Sequence, residues 1–228
     1  MDNKYIYTYE TTSDYCYHNS GVLINKLNIK SEKILFVAER EFVMYRAAML
    51  LETPQKGNFD FKHLKSIHKY LFQDIYSWAG KPRTCNIAKT NLFCLAQYID
   101  TYAKDVFDKI SKEDYFINLD YENKVEALAN LFADINALHP FREGNGRAQR
   151  EFIKQLAKTN GINLDFTKVK EKEMVIASSE STAGDMKKLF DMFKRITIVI
   201  SKKEQFDCID EYIKDAKLAT TIKNKLKD

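Results

Sequence analysis

The sequence predicts an all-α protein. Two observations carry this expectation. Only 7 Gly and 3 Pro occur in 228 residues, too few chain breakers for a fold made of many short strands. Long stretches also repeat apolar side chains at the three- and four-residue spacing that puts them on one helix face. The exception is a short segment at 83–92. There Ile87 and Leu92 flank polar Lys89, Thr90 and Asn91 in the manner of a hairpin tip.

Residues 1–30 are rich in Tyr, Thr, Ser and Asn, and are expected as an N-terminal segment packing on a core at 31–200. Ser31 is placed to cap a helix over 32–51. Asp60 is placed to cap a second helix, whose Leu64, Ile67, His68, Leu71, Phe72 and Ile75 share a face. His68 on that face is expected as a core histidine with a hydrogen-bond partner rather than as a catalytic group. Trp78-Ala79-Gly80 ends this helix. Further helices are expected over 93–110, 121–138 and 147–158, the last stopped by Asn160-Gly161. Another follows over 170–179, and Gly184-Asp185 starts one with Leu189, Phe190, Phe193 and Ile196 inward. Residues 201–228 are Lys-rich, with short amphipathic helices from 203, and read as a helical appendage.

Composition narrows the function classes. Hydrophobic residues make up 45%, enough for a sizeable core. The 36 basic residues nearly balance 32 acidic ones, a net charge of +4 without a basic stripe, so direct nucleic-acid binding is not expected. Cys16, Cys85, Cys94 and Cys208 form no C-x-x-C pair, which argues against a zinc site or a disulfide framework and fits a reducing compartment. No apolar run is long enough to span a bilayer, so no membrane partner is expected, and the first residues lack the apolar region of a signal peptide. A cytoplasmic location follows as the expectation, with delivery into another cell by a specialised secretion system as the alternative.

The chemistry concentrates in residues 138–150, Leu-His-Pro-Phe-Arg-Glu-Gly-Asn-Gly-Arg-Ala-Gln-Arg. This stretch joins two expected helices. The first amides of a helix lack intrahelical acceptors and carry the positive end of its dipole. Gly144-Asn145-Gly146 just before such a terminus lets an anion approach the backbone closely. Arg147 and Arg150 lie three apart, near one face, and suit the remaining oxygens of a polyphosphate. Glu143 fits beside phosphates when it holds Mg²⁺, with the phosphates as its other ligands. His139 leads the loop, and a histidine has the properties of a general base near neutral pH. Together these residues suit in-line displacement at a phosphorus atom.

His139-Pro140-Phe141-Arg142-Glu143-Gly144-Asn145-Gly146-Arg147-Ala148-Gln149-Arg150 resembles the Fic family signature, H-x-F-x-[DE]-G-N-G-R-x-x-R, at every defined position. The likeness extends over about residues 15–200, through Trp78-Ala79-Gly80 and the 87–93 segment. It implies a compact helical core with a small β-hairpin flap. It also implies AMP transfer from Mg-ATP to a Tyr, Thr or Ser hydroxyl of a target protein, releasing pyrophosphate. By resemblance His139 is the base, Glu143 holds the metal, and Gly144, Asn145 and Gly146 form the anion hole. Arg147 and Arg150 take the distal phosphates, Phe141 anchors the loop, and Lys89, Thr90 and Asn91 align the target by strand addition.

Many Fic proteins carry an inhibitory helix with [S/T]-x-x-x-E-[G/N], whose Glu pairs with the last arginine of the signature. Only Thr167 has a Glu four residues on, Glu171, and Lys172 follows it. Two readings stay open. A small antitoxin chain inhibits through Arg150, or the enzyme is unrestrained and exported to modify a host protein. A catalytically silent peptide-binding module is a further alternative, but its mark, a damaged His139, Glu143 or Arg150, is absent.

Overall fold

The computed structural model describes residues 8–9, 14–88 and 92–227, and for 8–9 the backbone alone. Among these, the helices are α1 (Glu32–Glu52), α2 (Phe61–Phe72), α3 (Ile99–Lys112), α4 (Tyr121–Leu138), α5 (Asn145–Thr159), α6 (Glu171–Thr182), α7 (Lys187–Ile196), α8 (Lys202–Tyr212) and α9 (Ala216–Lys225). Four short strands accompany them: β1 (Thr8–Tyr9), β2 (Ile87–Ala88), β3 (Ile162–Leu164) and β4 (Thr197–Val199). The protein is helical, with two antiparallel strand pairs.

The predicted caps form. Ser31 and Asp60 accept from the N–H groups of Ile34 and His63, and Asp120 does the same for Asn123 at the start of α4. Each satisfies an amide that the helix leaves without a partner. Helix α5 lies at the centre, packed against α2, α4 and α8. Its Ala148, Phe152, Ile153, Leu156 and Ala157 are fully buried.

Two helices are shorter than their apolar patterns suggest. The pattern of α2 runs on to Ile75, but the helix closes at Phe72 in a turn whose carbonyl takes both the Ile75 and Tyr76 amides. Helix α3 starts at Ile99 rather than 93. The Cys94 N–H donates to Ala137 O at 2.9 Å and the Ala96 N–H to Asn86 Oδ1 at 2.8 Å, so residues 93–95 stay outside a helix and Ala96–Tyr98 form only a 3-10 turn before α3.

The hairpin segment forms at its base. Ala88 bridges Leu92, and β1 adds to the outer side of β2 with Thr8 opposite Ala88 and Tyr9 opposite Ile87. The tip residues Lys89, Thr90 and Asn91 lie outside the described residues. The β3–β4 pair, Ile162 opposite Val199, has no counterpart in the sequence expectations. Three residues are too few for a strand pattern to register.

The sequence sets residues 201–228 apart. In the structure α8 lies along α5, and Cys208, Ile209, Tyr212, Ile213, Ala219 and Ile222 enter the same core as α2, α4 and α5. All four cysteines are free. Among the described residues no helix is long and apolar enough to cross a membrane.

Candidate active site

Helix α4 ends on His139, which takes a left-handed backbone conformation (φ 42°, ψ 60°) while its N–H still closes on Ile135 O. That turn redirects the chain toward Phe141 and leaves His139 buried, 7% exposed. The ring stacks on Phe93 at 3.8 Å, and its Nδ1–H donates to Asn136 O at 3.2 Å. A ring that donates through Nδ1 carries its lone pair on Nε2, the form a general base needs. Buried Arg83 fixes the same turn from behind. Its Nε–H donates to His139 O at 2.9 Å, and the rest of its fork reaches the carbonyls of Cys85 and Cys94. One guanidinium thus ties the histidine to both ends of the hairpin.

The loop after His139 closes on itself. Phe141 is fully buried and stacks on His68 at 3.8 Å. The Asn145 side chain brackets Phe141, accepting from its N–H and donating to its C=O, both at 2.7 Å. Asn145 therefore offers an anion its main-chain N–H and not its amide side chain. His68 completes the support. It accepts from the Gly80 N–H at 2.9 Å and donates to Glu143 O at 2.8 Å, so both ring nitrogens are occupied by backbone. Burial drives its pKa down to about 3, and the ring is neutral.

Helix α5 begins at Asn145, two residues before the sequence expectation, so Gly146 and Arg147 sit inside its first turn. Gly144 precedes it at φ +84°, and a Cβ there would lie 2.2 Å from Phe72 Cζ. Both facts require glycine. No described side chain caps α5, so its first amides remain for a ligand.

Around this terminus stand four charges, Glu143, Arg147, Glu39 and Arg150. Glu143 Oε1 accepts from the Gly144 N–H at 2.8 Å and pairs with Arg147 Nη2 at 3.2 Å. Arg147 also pairs through Nη1 with Glu39 Oε1 of α1 at 2.7 Å, and its guanidinium lies 4.6 Å from the Phe72 ring centre. Arg150, one turn along α5, is partly buried. Burial, and then the like charge of Arg147, pull its pKa below the usual arginine value, yet a guanidinium stays charged in any protein setting.

His139, Gly146 and Arg150 line one cavity of about 450 Å³. Phe132, Phe166 and Val169 give it an apolar side, and Ser178, Ser179 and Thr182 of α6 give it hydroxyls. The size and mixed lining suit a small organic ligand. Among the described residues no group of three or more His, Cys, Asp or Glu could hold a metal. That excludes an all-protein cage there and leaves Glu143, a half-exposed carboxylate beside an anion site, as a donor that fits Mg²⁺ shared with phosphates.

The structure brings His139, Phe141, Glu143, Gly144, Asn145, Gly146, Arg147 and Arg150 together on one loop and the helix it starts. Sequence reasoning missed Glu39 and Arg83, which meet the loop only through the fold.

These features define a helical domain built to hold an anionic, nucleotide-sized ligand beside a histidine. The chain belongs to the Fic/DOC family: the family's sequence profile matches residues 58–157, which include the whole loop and most of α5. It is 39% identical over 189 residues to the protein adenylyltransferase VbhT of Bartonella schoenbuchensis, covering 82% of this chain and 40% of that protein's length. It is 32% identical over 196 residues to the probable protein adenylyltransferase Fic of Escherichia coli K12, covering 86% of this chain and 97% of that one. Among solved structures it is similar to BepC of Bartonella tribocorum, a VirB-translocated effector with bound AMPPNP. The TM-score is 0.76 at 26% identity, over 82% of this chain and 97% of that one. An ADP-bound Fic domain from Bartonella quintana, also of a VirB-translocated effector, matches at 0.76 and 26% identity, over 83% and 96%.

Proposed function

We propose that this chain is a protein adenylyltransferase that moves AMP from Mg-ATP to a Tyr, Thr or Ser hydroxyl of a target protein. The observation that carries the reading is the single cavity bordered by the His139 ring, the first turn of α5 and Arg150. Relatives named as adenylyltransferases and neighbours holding AMPPNP or ADP support it.

In this reading the nucleoside occupies the apolar part of the cavity. The α5 amides at Asn145, Gly146 and Arg147 face the phosphate oxygens, and Arg147 and Arg150 neutralise the distal phosphates. Glu143 would hold Mg²⁺ together with phosphate oxygens, and the ion would supply charge neutralisation there. His139 Nε2 takes the proton of the target hydroxyl as its oxygen bonds to the α-phosphorus. The bond from that phosphorus to the bridging oxygen breaks, and pyrophosphate leaves with the electron pair. The hairpin tip at Lys89, Thr90 and Asn91 aligns the target by strand addition. Phe93 at its base stacks on His139, which puts an aligned strand next to the base.

No complete inhibitory motif occurs in these 228 residues, which leaves Arg150 open to a carboxylate supplied in trans. The chain is the toxin of a pair, and a small antitoxin supplies in trans a carboxylate for Arg150. A second reading, an effector delivered to another cell, is favoured by the VirB-translocated neighbours. Expression alone separates them: toxicity relieved by a neighbouring small protein supports the pair, and harmless expression with transfer into a recipient cell supports the effector.

The activity is tested with ATP labelled at the α or the γ phosphate, incubated with a cell lysate. A protein band labelled from the α position only, and lost in His139→Ala, is expected. Label from the γ position would make the chain a kinase, and equal label with the variant would remove His139 as the base.

A further inference from the structure

We infer that Glu39 of α1 is a positioning residue for the nucleotide site, acting by holding the Arg147 guanidinium in place. This rests on the nucleotide reading above. Glu39 lies well outside the signature, on a helix whose own pattern points to no chemistry.

The geometry is specific. Glu39 Oε1 pairs with Arg147 Nη1 at 2.7 Å, a shorter contact than the 3.2 Å from Arg147 Nη2 to Glu143. The Glu39 side chain is only 12% exposed, and its other oxygen, Oε2, accepts the hydroxyl of buried Tyr76. Tyr76 is itself stacked on Trp78 at 4.3 Å. Burial, and then the Glu39 charge, push the phenol pKa far up, so Tyr76 remains a donor at every working pH. The chain of support therefore runs from Trp78 to Tyr76 to Glu39 to Arg147, with Phe72 under the guanidinium.

A long arginine side chain on a helix surface samples many rotamers, and a ligand that fixes one of them bears that entropy. Here two carboxylates and an aromatic floor fix it beforehand. Of the two carboxylates, Glu143 is also the candidate metal ligand, whereas both oxygens of Glu39 serve the clamp. A guanidinium has five donors. One directed at Glu39 and one at Glu143 leave others for phosphate oxygens. A carboxylate tied down by a buried hydroxyl is built to stay, which makes Glu39 a support and not a competitor that phosphate must displace.

The experiment measures ATP dissociation constants by equilibrium binding in the presence of Mg²⁺. It uses the wild type, Glu39→Ala, Glu39→Gln, Arg147→Ala and the Glu39→Ala/Arg147→Ala double variant, with thermal melts alongside. Glu39→Ala is expected to weaken binding about tenfold, the scale of one charge-assisted hydrogen bond. Glu39→Gln, which keeps an acceptor for Arg147, recovers most of the loss. The decisive comparison is the cycle: in the Arg147→Ala background, Glu39→Ala has no further effect. Unchanged or tighter binding by Glu39→Ala overturns the inference, and so does an equal loss in both backgrounds. If Arg147→Ala binds like the wild type, or the wild type does not bind ATP, the nucleotide reading itself fails. Should Glu39→Ala not fold, Tyr76→Phe carries the test. It loosens the clamp and is expected to weaken binding about threefold with Arg147 present and not without it.

Discussion

Asn145 uses both polar atoms of its side-chain amide to close the loop that carries the histidine, and that role has a measurable cost when removed. Asn145→Ala leaves the buried N–H and C=O of Phe141 without their 2.7 Å partners. Each of the two orphaned backbone groups costs about 1–3 kcal/mol, so a denaturant melt should show a loss of about 2–6 kcal/mol. A loss under about 1 kcal/mol would show that water replaces the bracket. His68 makes a second prediction. Its pKa is driven by burial to about 3 in the folded chain, against an ordinary value of 6.5. Between those pH values the unfolded chain binds a proton that the folded chain does not. Stability therefore falls as pH drops through this window, by about 1.4 kcal/mol per pH unit from this group. In a non-titrating variant, His68→Asn, melts between pH 7 and pH 4 should show a shallower decline than in the wild type. Parallel profiles would contradict the assignment. At this scale the signature residues were legible because the chemistry needs them close in sequence. Arg83 and Glu39 were not. Arg83 acts on a carbonyl 56 positions away, and no local spacing announces such a partner.

Among the elements, α4 and α5 and the loop between them make the site, and α1 is the one whose sequence pattern misleads. Its apolar residues recur at helical spacing, but only Leu35, Val43 and Leu50 are buried. Ile34, Val37, Met44, Tyr45 and Leu51 are exposed on the other side. An apolar residue on this helix is thus a poor guide to which face meets the core, and the polar Glu39 and Arg46 are better ones. Arg46 makes a bidentate pair with Asp74 just past the end of α2, at 2.6 and 2.8 Å. Two adjacent substitutions test the orientation. Val43→Ala should cost about 1–3 kcal/mol, the range for emptying a packed site. Met44→Glu should stay within about 0.5 kcal/mol, as surface changes do. The reverse order would mean that α1 packs by its other face. Helix boundaries were legible where a cap residue marks them, as at Ser31 and Asp60. They were not legible at α3, where hydrogen bonds from Cys94 and Ala96 to distant partners override the local preference. The start of α5 belongs with these: placing it two residues early moves Gly146 and Arg147 into the first turn, where their amides count toward an anion site.

For the whole molecule, the core extends further along the chain than the charge pattern suggests. The Lys-rich surface of residues 201–228 hides an apolar face on α5, and two further ties join this part to the middle of the chain. Gly57 exchanges backbone hydrogen bonds with Tyr212 and Lys214, each at 2.9 Å, and Gln205 donates to Thr159 O at the end of α5. A chain shortened to end at Ile200 should therefore lose its cooperative thermal transition or melt far below the full chain. An unchanged transition would show that α8 and α9 are accessory. The all-helical class was legible from composition and periodicity, whereas the position of α8 depends on which apolar surface α5 leaves uncovered. The central claim is that the cavity beside His139 transfers AMP to a protein hydroxyl. The most direct measurement is the mass of acceptor peptides recovered from a lysate incubated with the protein and Mg-ATP. The account predicts peptides heavier by one adenylyl group on a Tyr, Thr or Ser, and none with His139→Ala. Peptides that gain a phosphoryl group alone, or the adenylyl group equally with the variant, would contradict it.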